Sequence, residues 1–184
     1  AEGVVVAGEQ YPLDLLIFAS GFEVTTDLDH RLGFDPRGRG GISMSERWHD
    51  GAHTLHGILS AEFPNMMMIS LVQAGFGTNF LHFLQKSATH VAWLIDTCEH
   101  TGIETIEATP EAEEEWLELL HEVASEIAGY SQSCTPGYYN GEQGEDPKKA
   151  RNLVYTGSLL DYAGHLENWR RSDDFPGARV VRRG

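Results

Sequence analysis

The chain has 184 residues and carries 28 acidic against 13 basic side chains, a formal net charge of -15 at pH 7. Such a surface repels phosphate backbones and anionic lipid headgroups, which argues against nucleic-acid or membrane-surface binding. The length suffices for one domain with a real core. Two cysteines, Cys98 and Cys134, make no disulfide framework; they fit a reducing compartment, with a single bridge left open. No apolar run is long enough to span a bilayer, and Ala1-Glu-Gly lacks the basic start of a secretory signal, so the expected location is the cytoplasm.

In chain order, Gly3-Val-Val-Val-Ala-Gly8 reads as a short strand and turn. The segment Asp14-Leu-Leu-Ile-Phe-Ala-Ser-Gly-Phe22 reads as a second strand running into a small-residue turn, so a hairpin is expected between the two. Its apolar run does not alternate, which predicts a strand covered on both faces, as in a parallel sheet. Ala19, Ser20 and Gly21 carry almost no side chain, so a ligand can approach at the strand's carboxyl end. Read alone, they are a tight turn.

Residues 23–62 are rich in loop signals, with Pro36 and the glycines at 33, 38, 40 and 41. Met66-Met-Met-Ile69 reads as another short strand after the Phe63-Pro64-Asn65 turn. The glycine-bearing stretch Gln73-Ala-Gly-Phe-Gly-Thr-Asn79 leads into a helix expected over Phe80 to Thr101, followed by a brief strand at Ile103 to Ala108. Thr109 can cap the next helix, Pro110 suits its first position, and Gly129 is expected to end it. Trp116, Leu119, Leu120, Val123 and Ile127 repeat along it at helical spacing. A glycine- and proline-rich loop follows, and a last helix is expected over Ser158 to Arg171.

Other signals have plain readings. His49, His53 and His56 fall in one short loop segment, but their spacing matches no zinc signature. Nothing positions a base beside Cys134. The cluster Glu111 to Glu115 reads as a solvated helix start, and Trp93, Trp116 and Trp169 as core. Neither a GxGxxG nor a GxxxxGK[ST] motif occurs, so those devices hold no nucleotide here.

Four segments, in their order, resemble the C-terminal portion of a class B flavoprotein monooxygenase, most closely the Baeyer–Villiger monooxygenases. Asp14 to Phe22 is similar to that family's strand ending in Ala-Thr-Gly, with Ser20 in place of Thr. Glu46-Arg-Trp-His-Asp-Gly-Ala-His-Thr-Leu-His-Gly57 resembles its Trp-x-x-Gly-Pro-x-Thr-Tyr-x-Gly stretch, with Ala52 in place of Pro. Phe63-Pro-Asn-Met-Met-Met-Ile69 resembles its Phe-Pro-Asn-Leu-Phe-x-Ile strand. His90-Val-Ala-Trp93, then Glu107-Ala-Thr109 and Trp116, follow the family's helix-strand-helix order.

The resemblance implies an α/β fold: the C-terminal fragment of an FAD-binding, Rossmann-like flavoprotein with two dinucleotide-binding domains, short strands first and helices after. Residues 1–22 would be the return strand from the NADPH domain, 23–79 a loop-rich part near the flavin, and 80–184 a helical part. The parent would use FAD and NADPH to oxygenate a ketone or a heteroatom through a flavin peroxide. No catalytic residue and no bound cofactor are expected in this chain alone.

The implied FAD contacts are Ser20, Gly21, Phe22, Gln73, Gly75, Gly77, Thr78 and Asn79. Cys134, Tyr139 and Asn140 would lie on the NADPH or substrate side. The Gln73 to Asn79 stretch departs from the family's Gly-Pro-Gly-Ser-Pro, and the family's NADPH-contacting Trp has no clear equivalent near Ser133 and Cys134. Two other readings stay open at this point: a stand-alone binding or assembly module, and a subunit completing a flavin site in another chain. Exposed strand edges would favour self-association.

Overall fold

The computed structural model describes residues 3–18, 32–133, 147–172 and 174–184. Strand β1 (Gly3–Val6) pairs antiparallel with β2 (Glu9–Pro12), Val6 facing Glu9 and Gly3 facing Pro12. The turn is two residues long, with Ala7 at φ 51° and Gly8 at φ 85°. Two successive positive φ values give the twist that suits a tight hairpin. The expected partner of β1 was Asp14 to Ala19, and the structure corrects that. The nearer partner closes with a shorter loop, and Leu15 to Phe18 take no strand conformation. Their apolar side chains face solvent, Ile17 at 75% and Phe18 at 85%. A run of that kind is buried only between sheet neighbours, and none of the described residues supplies them.

Helix α1 (Met44–Arg47) is a single turn closed by a capping box. Ser43 accepts from the Glu46 amide, and the Glu46 carboxylate accepts from the Ser43 amide. Residues 66–69 form no strand, contrary to expectation. Asn65 ties the start of the segment to β3, its amide donating to Ile106 O at 2.8 Å and its side chain bonding Glu104 O and the Ile106 amide, and the Met68 amide donates to Ile58 O at 2.9 Å.

Helix α2 spans Phe80–Thr101, as expected, and ends at Gly102 in the left-handed conformation. Phe83, Ser87, His90 and Leu94 form its buried stripe, stepping by three and four residues. Strand β3 (Ile103–Ala108) follows directly. Helix α3 spans Pro110–Ser133. Thr109 Oγ1 accepts from the Ala112 amide, so the predicted cap is present. The helix does not stop at Gly129; a glycine inside a helix costs only about 1 kcal/mol relative to alanine.

Helix α4 (Leu159–Arg171) starts at its Ser158 cap and buries Tyr162, Ala163, Leu166 and Trp169. The chain closes with β4 (Ala178–Arg182), antiparallel to β3 with Ala108 facing Ala178. That pairing was not anticipated from the sequence. The main core joins Leu55, Ile58 and Leu59 to Phe83 and Leu94 of α2, Ile106 of β3, Trp116 and Leu120 of α3, and Tyr162, Leu166 and Trp169 of α4. Met44, Trp48, Ala52 and Phe63 form a second, smaller cluster. Among the described residues, no helix is long and apolar enough to cross a membrane.

Candidate functional site

The glycine turn before α2 is built from two directions. A short parallel pairing ties it to the segment before α4: the Gln73 amide donates to Leu153 O, the Tyr155 amide to Ala74 O, and the Phe76 amide to Tyr155 O, each at 2.9 Å. Beneath it, Gly75 and Gly77 sit on Phe83. A Cβ on Gly75 would lie 2.0 Å from Phe83 Cδ1, and one on Gly77 would lie 3.0 Å from Phe83 Cε2. Gly75 is therefore required by packing against α2, whatever lies on the outer side, whereas a side chain at Gly77 would need the Phe83 ring to give by a few tenths of an ångström.

Gln73, a candidate cofactor contact, has its side chain wholly inside the protein. Its Oε1 accepts from the Thr54 amide at 3.0 Å and from Thr54 Oγ1 at 2.6 Å. Its Nε2 donates to Ala52 O at 2.8 Å and to Arg151 O at 2.9 Å. Its carbonyl accepts from Trp116 Nε1 at 2.9 Å. Every polar atom of this residue thus has a protein partner. Thr78 and Asn79, in contrast, are exposed. Asn79 caps α2 by accepting from the His82 amide at 3.4 Å, and the first turn of the helix holds no acidic residue. Amides of a helix's first turn have no partner four residues back, and the helix dipole is positive there. In a chain of net charge -15, this acid-free helix start is a place where a negative group fits.

The other candidates divide as follows. Ser20, Gly21, Phe22, Cys134, Tyr139 and Asn140 lie outside the described residues. Gly75, Gly77, Thr78 and Asn79 come together on the turn. A shallow depression lined by Pro36, Arg37, Gly38, Arg39, Phe63, Pro64 and Met66 shares no residue with them.

A polar network that the sequence did not reveal centres on Glu113. Glu113 is fully buried, although the acidic cluster containing it reads as solvated. Its carboxylate meets the Arg47 guanidinium, accepts from the Ala61 amide at 2.7 Å and lies 3.2 Å from Ser60 Oγ. Burial pushes its pKa up, and these donors partly offset the shift. Glu113 precedes Trp116 by three residues and Leu120 by seven, on the apolar face of α3. That phase was the available signal.

The three clustered histidines take separate roles. His49 is exposed and lies within 3.2 Å of Glu46 O. His53 sits between Arg151 Nη2, 2.7 Å from its Nδ1, and Asp50 Oδ1, 2.8 Å from its Nε2. Its Nδ1 accepts and its Nε2–H donates, which fixes the neutral tautomer. Burial, with Arg47 and Arg151 nearby, lowers its pKa. Arg151 also forms a two-pronged pair with Glu114 and donates to Ala52 O. His56 is buried against Trp116, ring centroids 4.8 Å apart, and desolvation takes its pKa to about 3. Among the described residues, no three His, Cys, Asp or Glu side chains are placed to hold a metal ion.

No family model matches the chain. Its similarity to individual proteins is extensive. It is 38% identical to pentalenolactone D synthase of Streptomyces arenae, over 98% of this chain and 31% of that protein. It is 42% identical to a Baeyer–Villiger monooxygenase of Streptomyces coelicolor, over 91% of this chain and 28% of that protein.

Among solved structures, polycyclic ketone monooxygenase from the thermophilic fungus Thermothelomyces thermophila matches with a TM-score of 0.77 and 32% identity. That match covers 100% of this chain and 30% of the other. Cyclohexanone monooxygenase from Rhodococcus sp. Phi1 bound to NADP+ matches with a TM-score of 0.76 and 28% identity, over 100% of this chain and 33% of the other.

The architecture is therefore part of the fold of the FAD- and NADPH-binding flavoprotein monooxygenases. Along almost all of its own length the chain is similar to proteins of the Baeyer–Villiger type, and it spans under a third of the length of the relatives named here.

Proposed function

We propose that this sequence is the C-terminal portion of an FAD- and NADPH-dependent, cytoplasmic Baeyer–Villiger monooxygenase that oxygenates a small ketone or a heteroatom, and that the chain alone is inert. The observation that carries the reading is the pairing of near-complete coverage of this chain, 98%, with coverage of 31% of the relative. In the parent, residues 1–22 bring the chain back from the NADPH domain, 23–79 contribute to the flavin surroundings, and 80–184 form the supporting helical part.

FAD reduced by NADPH supplies the oxygen-transfer chemistry. This chain's own residues hold and shield it. Ser20, Gly21 and Phe22 would contact FAD, and the turn Gly75 to Asn79 would present the start of α2 to it. The acid-free first turn of α2 supports placing the electron-rich edge of the flavin there. Tyr139, Asn140 and Cys134 are assigned to the NADPH or substrate side.

The test is purification of the full-length protein that carries this sequence. The expected result is about one FAD per polypeptide, with the flavin bleached anaerobically by NADPH. Full-length protein that neither binds FAD nor oxidises NADPH would overturn the proposal.

A further inference from the structure

We infer that Gln73 is a positioning residue for the flavin-facing turn, acting from inside the protein without touching the cofactor. This rests on the assignment of Gly75 to Asn79 to the flavin. Gln73 has φ +52°, a left-handed conformation that side chains other than glycine and asparagine rarely adopt. A residue held there by its surroundings marks a place where backbone direction is fixed at a local cost.

The surroundings are specific. The amide side chain bridges Thr54 and Ala52 on one loop to Arg151 O on the segment before α4. The main-chain amide adds Leu153 O, and the carbonyl takes the indole N–H of Trp116 from α3. Three separate stretches of chain therefore converge on one residue, two positions before Gly75. From there the backbone is clamped: Gly75 packs on Phe83, and the Phe76 amide is held by Tyr155 O.

A glycine would reach the same φ without strain but would keep none of the four side-chain hydrogen bonds. The presence of glutamine at this φ is explained if the direction of the turn, and not only its flexibility, matters. The network stops at Gly75 and Phe76, and the exposed residues Thr78 and Asn79 begin just beyond it. The geometry divides the turn into a clamped base and a presented tip. By this division, the sequence-based assignment of Gln73 as a flavin contact becomes an indirect role.

The experiment uses the full-length holoenzyme with three variants. Gln73→Gly removes the clamp. Thr54→Val removes only the 2.6 Å hydroxyl bond to Gln73 Oε1 and the hydroxyl's bond to the Gly57 amide. Thr78→Glu adds negative charge at the exposed tip. FAD affinity is read by quenching of flavin fluorescence, and the visible flavin spectrum and reduction potential are read on the folded holoenzyme.

Gln73→Gly is expected to weaken FAD about tenfold, equivalent to ~1.4 kcal/mol, and to shift the flavin band and potential. Thr54→Val is expected to move the same readouts by less, and it decides the question should Gln73→Gly fail to fold. A folded Gln73→Gly with a lower melting temperature but an unchanged spectrum, potential and FAD affinity would overturn the role. So would an unaltered Thr54→Val if Gln73→Gly does not fold. Thr78→Glu separates the two levels. If it weakens FAD while the clamp variants do not, the role of Gln73 alone falls. If it leaves FAD binding unchanged, the assignment of the turn to the flavin falls, and this inference with it.

Discussion

Arg47 and Glu113 meet across 66 positions of sequence and join the one-turn helix α1 to the buried face of α3. The pair lies beneath the loop that carries Ser60 and Ala61, both of which contact the same carboxylate. Glu113→Ala leaves the guanidinium of Arg47, whose side chain is only 17% exposed, without this partner. Breaking a buried pair from one side costs about 3–5 kcal/mol. Glu113→Gln keeps an acceptor for the Ala61 amide and is expected to cost less. Urea unfolding of the two variants measures both. Equal stability of Glu113→Ala and the parent sequence would show that the pair contributes nothing net.

Acid sensitivity follows from the two buried histidines. His56 and His90 are each held near pKa 3 by burial; nearby histidines add to the effect at His56 and Arg170 adds to it at His90. In the unfolded chain both return to about 6.5. The folded state therefore binds fewer protons below that value. Their contribution to stability is full above pH 6.5 and is lost as pH falls from 6.5 toward 3. The slope is about 1.4 kcal/mol per pH unit for each histidine once the unfolded form is protonated. Unfolding midpoints measured between pH 7 and about 4.5 should fall steadily, before most carboxylates titrate. His90→Gln should flatten that fall. A pH-independent midpoint over the window would contradict the burial of neutral histidines.

Two glycines predict opposite signs. Gly75→Ala places a methyl group 2.0 Å from Phe83 and 2.9 Å from Tyr162, so the turn or α2 must move. Overpacking of this kind costs about 1–3 kcal/mol. Gly164 lies within α4, and a Cβ there meets nothing within 4 Å. Gly164→Ala should stabilise by about 0.4–1 kcal/mol, because alanine loses less backbone entropy in a helix. Thermal melts of the two variants check the pair: stabilisation by Gly75→Ala would contradict the packing under Gly75, and destabilisation by Gly164→Ala would contradict the open space at Gly164.

The exposed run Leu15 to Phe18 predicts self-association of the isolated chain. Large exposed apolar side chains pair with other surfaces, and open strand edges compound the effect. Leu15, Ile17 and Phe18 are the most exposed of the run, at 74%, 75% and 85%. Light scattering of the purified chain should show species larger than the monomer, and the double substitution Ile17→Ser, Phe18→Ser should reduce them. A monomer at high concentration in the parent sequence would contradict this.

The helices were legible because their signals are local. α2 and α4 follow three-and-four spacing between good caps, and Thr109-Pro110 marks the start of α3 in the few residues that form it. Pairings that depend on distant sequence were not legible. β4 finds β3 across the whole of α3 and α4, and no local pattern states that partner. The run at Leu15 misled in the other direction: it carries the pattern of a buried strand, but burial depends on neighbours the described residues do not supply.

The site divides along the same line. The glycines of the turn were visible as residue types. The inward role of Gln73 was not, since its partners Thr54, Trp116 and Arg151 come from three other places in the chain. Glu113 was hidden by its charged neighbours, because composition masked its helical phase.

Oxygen transfer by the parent enzyme is tested by following the oxygen atom. The full-length protein carrying this sequence is supplied with NADPH, a panel of cyclic ketones and sulfides, and heavy-isotope dioxygen in ordinary water. NADPH-dependent conversion of at least one substrate to a lactone, ester or sulfoxide is expected, with a single labelled oxygen drawn from the gas. NADPH consumption with no labelled product across the panel, or label arriving from water, would contradict it.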